Sequence, residues 1–158
     1  MLRHFAQSDP DYFAQPISFR RHALDPQNLN LIKDSFPSVF QHKAEIATQF
    51  YDRLFASVPE TRQMFRAEMA TQKEMLASVL TTLAKASFDP EKLQDVIARL
   101  ARSHAGLGIT EAQFRAGETA LMEALGSVMA PKLPPPALLA WQAAIRRVIA
   151  AMIDPPEN

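Results

Sequence analysis

The sequence predicts an all-α domain, and three observations lead there. Apolar residues recur at spacings of three and four in one segment after another, the period of a helix with one buried face. No segment alternates apolar and polar residues between turn signals, as a half-buried strand would. The breaks between periodic segments fall at Pro59, at Pro90, at Gly106-Leu107-Gly108 and at Pro134-Pro135-Pro136, residues that stop or redirect a helix. With 158 residues and a 47% hydrophobic fraction, the chain has room for one domain with a real core.

Residues 1–24 read as an N-terminal extension, with Pro10, Pro16 and several charges among aromatics that follow no sustained period. Residues 25–158 form the domain. Asp25-Pro26 opens its first helix, a capping carboxylate followed by a proline in the first turn, with Leu29, Ile32, Phe36, Val39 and Phe40 inward and Pro37 expected to bend or interrupt it. A second helix runs from about Lys43 to Phe55 with Ile46, Ala47, Phe50, Tyr51 and Leu54 inward, and Val58-Pro59-Glu60 opens a short turn ending near Phe65. The next helix spans about Met69–Ala86, with Gln72, Leu76, Val79, Leu80 and Leu83 along one face, and another runs from about Pro90 to Ala105. Thr110-Glu111-Ala112-Gln113 has the pattern of a capping box and starts a long helix with Phe114, Leu121, Leu125 and Val128 inward. The triproline, a stiff connector, precedes a last helix with Leu138, Trp141, Ile145, Val148, Ile149 and Met152 inward.

Composition excludes several functions. Seventeen basic residues balance 17 acidic ones, so there is no broad charge footprint for nucleic acid or an anionic membrane. No run of about 18 apolar residues is apparent for a membrane span, and Met1–Pro10 lacks the apolar centre of a secretory signal, so a cytoplasmic protein is expected. The absence of cysteine rules out disulfides, thiolate metal sites and cysteine nucleophiles. The four glycines, Gly106, Gly108, Gly117 and Gly126, match neither a phosphate-binding loop nor a dinucleotide fingerprint.

Chemistry concentrates in the polar exceptions on buried faces. Leu93, Ile97, Leu100 and His104 are spaced by four, three and four, which puts the imidazole on the apolar stripe just before the glycine-rich break. A lone histidine there is more often a satisfied core residue than a ligand; its company decides. Tyr51 and Gln72 place hydrogen-bonding groups where a purely structural helix would carry hydrocarbon, while Phe65 sits at the corner and Leu76 lies one turn beyond Gln72. Among the other histidines, His4 and His22 lie in the extension, and His42, between the first two helices, is expected to make a structural hydrogen bond.

Phe50-Tyr51-Asp52-Arg53-Leu54-Phe55, Pro59-Glu60-Thr61-Arg62-Gln63-Met64-Phe65, Gln72-Lys73-Glu74-Met75-Leu76 and Arg102-Ser103-His104-Ala105-Gly106 carry a resemblance in their order and separation. Over about Leu29–Met152 the chain resembles the globin family, in particular bacterial single-domain haemoglobins and the globin domain of flavohaemoglobins. The resemblance implies a 3-over-3 helical sandwich around haem b (iron protoporphyrin IX). It also implies His104 as the proximal iron ligand, its second ring nitrogen donating to the carbonyl near Leu100. Phe65, Leu76, Leu100 and Phe114 would contact the cofactor, and Tyr51, Gln72 and Leu76 would line the distal side. Dioxygen held there carries partial negative charge, so a donor to it contributes roughly 1.5–3 kcal/mol, with less for the weakly polar carbon monoxide. Lys73, Arg99 and Arg102 stay open as propionate partners.

Two departures matter. Flavohaemoglobins carry a tyrosine ten residues after the proximal histidine and a carboxylate near the end of the last helix; here the first position is Phe114, and the last helix offers no carboxylate before Asp154. Peroxidase-like activation of a ligand is therefore not expected. These 158 residues include no reductase segment, so turnover would draw on an external reductase. The leading expectation is reversible binding of dioxygen, and of nitric oxide, at a five-coordinate ferrous haem. The alternatives are a nitric oxide dioxygenase served by a separate reductase, a haem-based gas sensor, and a haem-free interaction module. Amphipathic stripes do not tell a homodimer interface from a core, so that partner stays open.

Overall fold

A computed structural model describes residues 26–155; the extension over residues 1–24 and the expected cap Asp25 lie outside them. Six α-helices and one 3-10 turn account for most of this span: α1 (Pro26–Gln41), α2 (Lys43–Ser57), the turn Pro59–Met64, α3 (Met69–Ala86), α4 (Pro90–Ala105), α5 (Glu111–Met129) and α6 (Pro135–Ile153). Helix α2 packs on α5 and α5 on α6 to make one layer, while α3 packs on both α1 and α4 to make the other. The layers meet through α2 on α3, α1 on α6 and α4 on α6, which is the three-over-three arrangement that the resemblance implied. No strand occurs among the described residues.

Local signals explain the helix starts that flank the site. Asp89 Oδ1 accepts from the amides of Glu91 and Lys92 at 3.1 and 3.3 Å, and Pro90 fills the first position of α4, where no amide hydrogen is needed. Thr110 and Gln113 form the expected capping box on α5, each side chain bonding the other's backbone N–H, at 3.2 and 3.0 Å. Between α4 and α5, Gly108 turns the chain with φ +68°, a left-handed conformation that a side chain would strain.

The main core gathers Ile32, Val39, Ile46, Leu121, Leu125, Val128, Met129, Trp141, Ile145 and Ile149, in which Ile32, Ile46 and Met129 are the largest side chains withdrawn from solvent almost completely. A smaller cluster of Ala86, Leu93, Ile97 and Ala151 joins the α3–α4 corner to α6. One buried polar contact fixes α1 against α6: Trp141 Nε1 donates to Ser35 Oγ at 2.8 Å, and Ser35 Oγ donates to the Leu31 carbonyl at 2.6 Å. Ser35→Ala is expected to lower unfolding stability by about 1–3 kcal/mol, because it orphans a buried indole N–H. Urea denaturation checks this, and Trp141→Phe in the Ser35→Ala background should add much less than it does alone; additive losses would refute the coupling.

The structure corrects the placing of Phe40 and adds detail to three other expectations. Pro37 does not interrupt α1, which runs unbroken to Gln41. A mid-helix proline costs about 3 kcal/mol or more, but Ile32 and Ser35 before it and Val39 after it are buried on the same interface and hold the helix together. Phe40 is not inward: it is exposed, with the Lys43 ammonium 3.6 Å from its ring centroid, because Val39 takes the buried position and Phe40 falls a quarter-turn away. In α3 the fully buried residues are Ala77, Ala84 and Ala86, whereas Leu76, Val79, Leu80 and Leu83 are half-buried. Finally, α6 is long and apolar enough by length and composition to cross a membrane, with mean hydropathy 1.3 over its best window. Arg146 and Arg147 interrupt it and Trp141, Ile145 and Ile149 lie in the main core, so here it packs as a core helix.

Candidate functional site

Helix α4 presents His104 at the end of its apolar stripe, one turn after Leu100. The first two residues of the stripe, Leu93 and Ile97, are buried in the smaller core; the last two, Leu100 and His104, are only half-buried and belong to neither core. His104 Nδ1 lies 2.7 Å from the Leu100 carbonyl oxygen. A carbonyl can only accept, so Nδ1 is the donor here, and in the neutral ring Nε2 carries the lone pair. The Ser103 hydroxyl donates to the same carbonyl at 2.9 Å and stands 3.3 Å from His104 Nδ1. Phe114, on the first turn of α5, sets its ring 6.2 Å from the imidazole and brings no hydroxyl to it. Asp154 is exposed beyond the end of α6, and no carboxylate bonds His104 among the described residues.

Helix α2 supplies a second hydrogen-bonding side chain, Tyr51. Tyr51 is 5% exposed, and its ring packs against Phe50, Phe65 and Phe55 at centroid distances of 4.9, 5.3 and 5.8 Å. These edge and tilted contacts leave the ring little room to move. Its hydroxyl donates to the backbone carbonyl of Gln72, 21 residues away on the first turn of α3, at a long 3.4 Å. Burial pushes the phenol up to about 12, so it stays protonated and a donor throughout the neutral range. Gln72 is half-buried, and its side-chain amide has no hydrogen-bond partner among the described residues. Leu76 is half-buried one turn further on and packs into neither core.

Helices α3 and α4 join at the corner Ser87–Asp89. Small side chains stay buried along both of them, Ala77, Ala84 and Ala86 on α3 and Ala101 on α4, whereas Gln72 and Leu76 on one helix and Leu100 and His104 on the other are half-buried toward the ends away from that corner. Tyr51, Phe65 and Gln72 form one group there, and Leu100, His104 and Phe114 another. A groove of about 580 Å3 between α2 and α3, lined by Lys43, Thr48, Lys73, Glu74 and Ser78 among others, includes Lys73, one of the three candidate propionate partners, but none of the residues expected to contact the haem or its ligand. Arg99 and Arg102 are exposed and Lys73 half-buried, and none of the three makes an ion pair among the described residues. His42 makes a structural bond, Nδ1 lying 2.7 Å from the Ser38 carbonyl.

Sequence reasoning missed two neighbours of the site. Ser103 shares the carbonyl that orients His104, and Phe55 stacks beside Tyr51. Both carried a signal, adjacency for the serine and an i+4 spacing for the phenylalanine. The donor set also limits what could bind. No group of three or more His, Asp or Glu stands ready for a metal ion among the described residues. A single imidazole is too few ligands for a bare divalent ion, but it suits iron already held by a macrocycle, against which the apolar Phe65, Leu76, Leu100 and Phe114 would pack.

Comparison with known proteins gives the same answer from another direction. The chain is 24% identical over 136 residues to Flavohemoprotein B of Dictyostelium discoideum, covering 85% of this chain and 32% of that one. It is 26% identical over 108 residues to an uncharacterized globin-like protein of Aquifex aeolicus, covering 68% and 78%. It spans about a third of the length of the flavohemoproteins that it matches. Among solved structures, an engineered carbene transferase, a putative nitric oxide dioxygenase from Rhodothermus marinus, superposes with TM-score 0.71 at 29% identity over 82% of this chain and 90% of that one. A bacterial globin from Campylobacter jejuni superposes with TM-score 0.69 at 24% identity, covering 82% and 94%, and shares the fold. Relatives of these kinds imply a haem cofactor. Residues 48–152, which run from within α2 to the last turn of α6 and include Tyr51, Phe65, Gln72, Leu100, His104 and Phe114, match the Globin family, and the chain belongs to it.

Proposed function

We propose that this globin holds haem b between α3 and α4 and reversibly binds dioxygen and nitric oxide. The observation that carries the reading is the 2.7 Å bond from His104 Nδ1 to the Leu100 carbonyl, which orients the ring and leaves Nε2 free to ligate from a half-buried face. When bound, the haem would supply an iron centre that takes a diatomic ligand. Phe65, Leu76, Leu100 and Phe114 are the apolar residues that would pack on the macrocycle and keep water away. Tyr51 supplies a protonated hydroxyl and Gln72 a mobile amide on the other side, and each can donate to a ligand that carries negative charge.

The proximal side favours holding a ligand over cleaving it. His104 bonds a neutral carbonyl and neighbours a serine hydroxyl, and among the described residues no carboxylate draws its proton and makes the ring a stronger electron donor. A second reading, nitric oxide dioxygenase served by a separate reductase, is supported by the flavohemoprotein relatives and by the Rhodothermus marinus neighbour. Steady consumption of nitric oxide with an added flavin reductase favours it; one stoichiometric reaction that stops at ferric protein counts against it. The test of the leading reading is an absorption spectrum of the haem-supplied protein, ferric, ferrous and under oxygen or carbon monoxide. One haem per chain and a Soret band that moves with each gas are expected. A folded helical protein that takes up no haem would refute the proposal and leave an interaction module as the better account.

A further inference from the structure

The Tyr51 hydroxyl has one proton and, given the function proposed above, two acceptors. One is the Gln72 carbonyl, 3.4 Å away. The other is any negatively polarised ligand on the distal side. A phenol donates one hydrogen bond at a time, so the two acceptors compete. Because Phe50, Phe55 and Phe65 hold the ring from three sides, the competition is resolved by turning the O–H bond and not by moving the side chain.

The Gln72 carbonyl is placed where losing a bond has a mechanical effect. It belongs to the first turn of α3, which follows the non-helical connector Phe65–Glu68 and begins at Met69, where Glu68 makes no side-chain cap. The residues on either side of this start are mostly exposed: Arg66, Ala67, Glu68, Ala70 and Thr71. Deeper along the helix, Ala77 is buried and anchors α3. An uncapped, exposed helix start is among the parts of a fold that open first, and this hydroxyl is the one side-chain bond that ties it to α2 among the described residues.

We propose that Tyr51 is a ligand-released tie: it holds the first turn of α3 to α2 until a hydrogen-bond-accepting ligand claims its proton, and the turn then loosens together with residues 65–68. Ligands are thereby sorted by polarity. Dioxygen competes for the proton and releases the tie, whereas carbon monoxide, a poor acceptor, leaves it in place. The chain thus converts the chemical character of the gas into the mobility of one exposed surface segment, which a partner can read or through which a ligand can leave.

Amide hydrogen exchange on peptides covering residues 65–76 tests the idea, with α5 peptides over 121–129 as a reference for global opening. In haem-free protein, Tyr51→Phe is expected to speed exchange over 65–76 by about twofold, the lower end of the range for one hydrogen bond because this one is long, without changing the α5 reference. In ferrous haem-loaded protein, the same segment should exchange faster under dioxygen than under carbon monoxide, and Tyr51→Phe should abolish the difference. Equal exchange under the two gases in the wild type, or an unchanged rate in haem-free Tyr51→Phe, overturns the tie while leaving the haem reading intact. A chain that takes up no haem overturns the proposed function, and the ligand response falls with it, whatever the haem-free arm shows.

Discussion

His104→Ala is expected to weaken haem retention by about a hundredfold or more and to abolish the wild-type ferrous spectrum. Losing a residue that merely supports a metal ligand costs roughly ten- to a hundredfold in affinity, and His104 is the candidate ligand itself. The fold should survive. His104 is half-buried at the last turn of α4, outside both cores, while Leu93 and Ile97 anchor that helix from its other end. Far-UV circular dichroism should therefore hardly change, and the loss can be assigned to coordination. Added free imidazole should enter the space left by the side chain and restore part of the Soret band, an outcome that a purely structural role would not give. Undiminished haem content with an unshifted ferrous spectrum in His104→Ala would show that another residue holds the iron.

The α4 stripe shows why so much of this site could be read in the sequence. An imidazole in register with Leu93, Ile97 and Leu100 must share their face, and the carbonyl one turn back is the nearest acceptor that a helix can offer, which is where Nδ1 points. The capping box at Thr110 was legible for the same reason: both of its bonds are local. The α3 face was harder. Periodicity marks apolar residues but does not say what they face: Leu76 and Val79 stay half-buried outside both cores and Leu80 lies against the main core, while Ala77 and Ala84 are buried. Alanine carries a weak hydrophobic signal yet is what close helix approach selects. Tyr51 stood out as a polar residue on a buried face, but its acceptor is a backbone carbonyl 21 residues away, and main-chain groups leave no mark in a sequence pattern. Pro37 misled because local propensity was weighed without the burial of Ile32, Ser35 and Val39 around it.

Tyr51→Phe is expected to raise the dioxygen dissociation rate about tenfold or more and to change the carbon monoxide rate far less. The substitution removes one oxygen atom and keeps the ring, so the contacts with Phe50, Phe55 and Phe65 persist and the pocket keeps its shape. What is lost is a donor already fixed in place, whose burial holds it protonated to about pH 12. A charge-assisted bond of this kind contributes roughly 1.5–3 kcal/mol, and 1.4 kcal/mol corresponds to tenfold in rate. Against that gain stands the surrender of the bond to the Gln72 carbonyl, which at 3.4 Å is long and weak. The balance therefore favours the ligand, and the net effect should stay near the lower end of the range. Carbon monoxide is a poor acceptor and has little to lose, which makes the ratio of the two rate changes more telling than either alone. Stopped-flow displacement of dioxygen by carbon monoxide, and of carbon monoxide by nitric oxide, measures both. Equal acceleration of the two gases would mean that the phenol acts by filling space, and no acceleration of dioxygen would mean that its proton never leaves the α3 backbone.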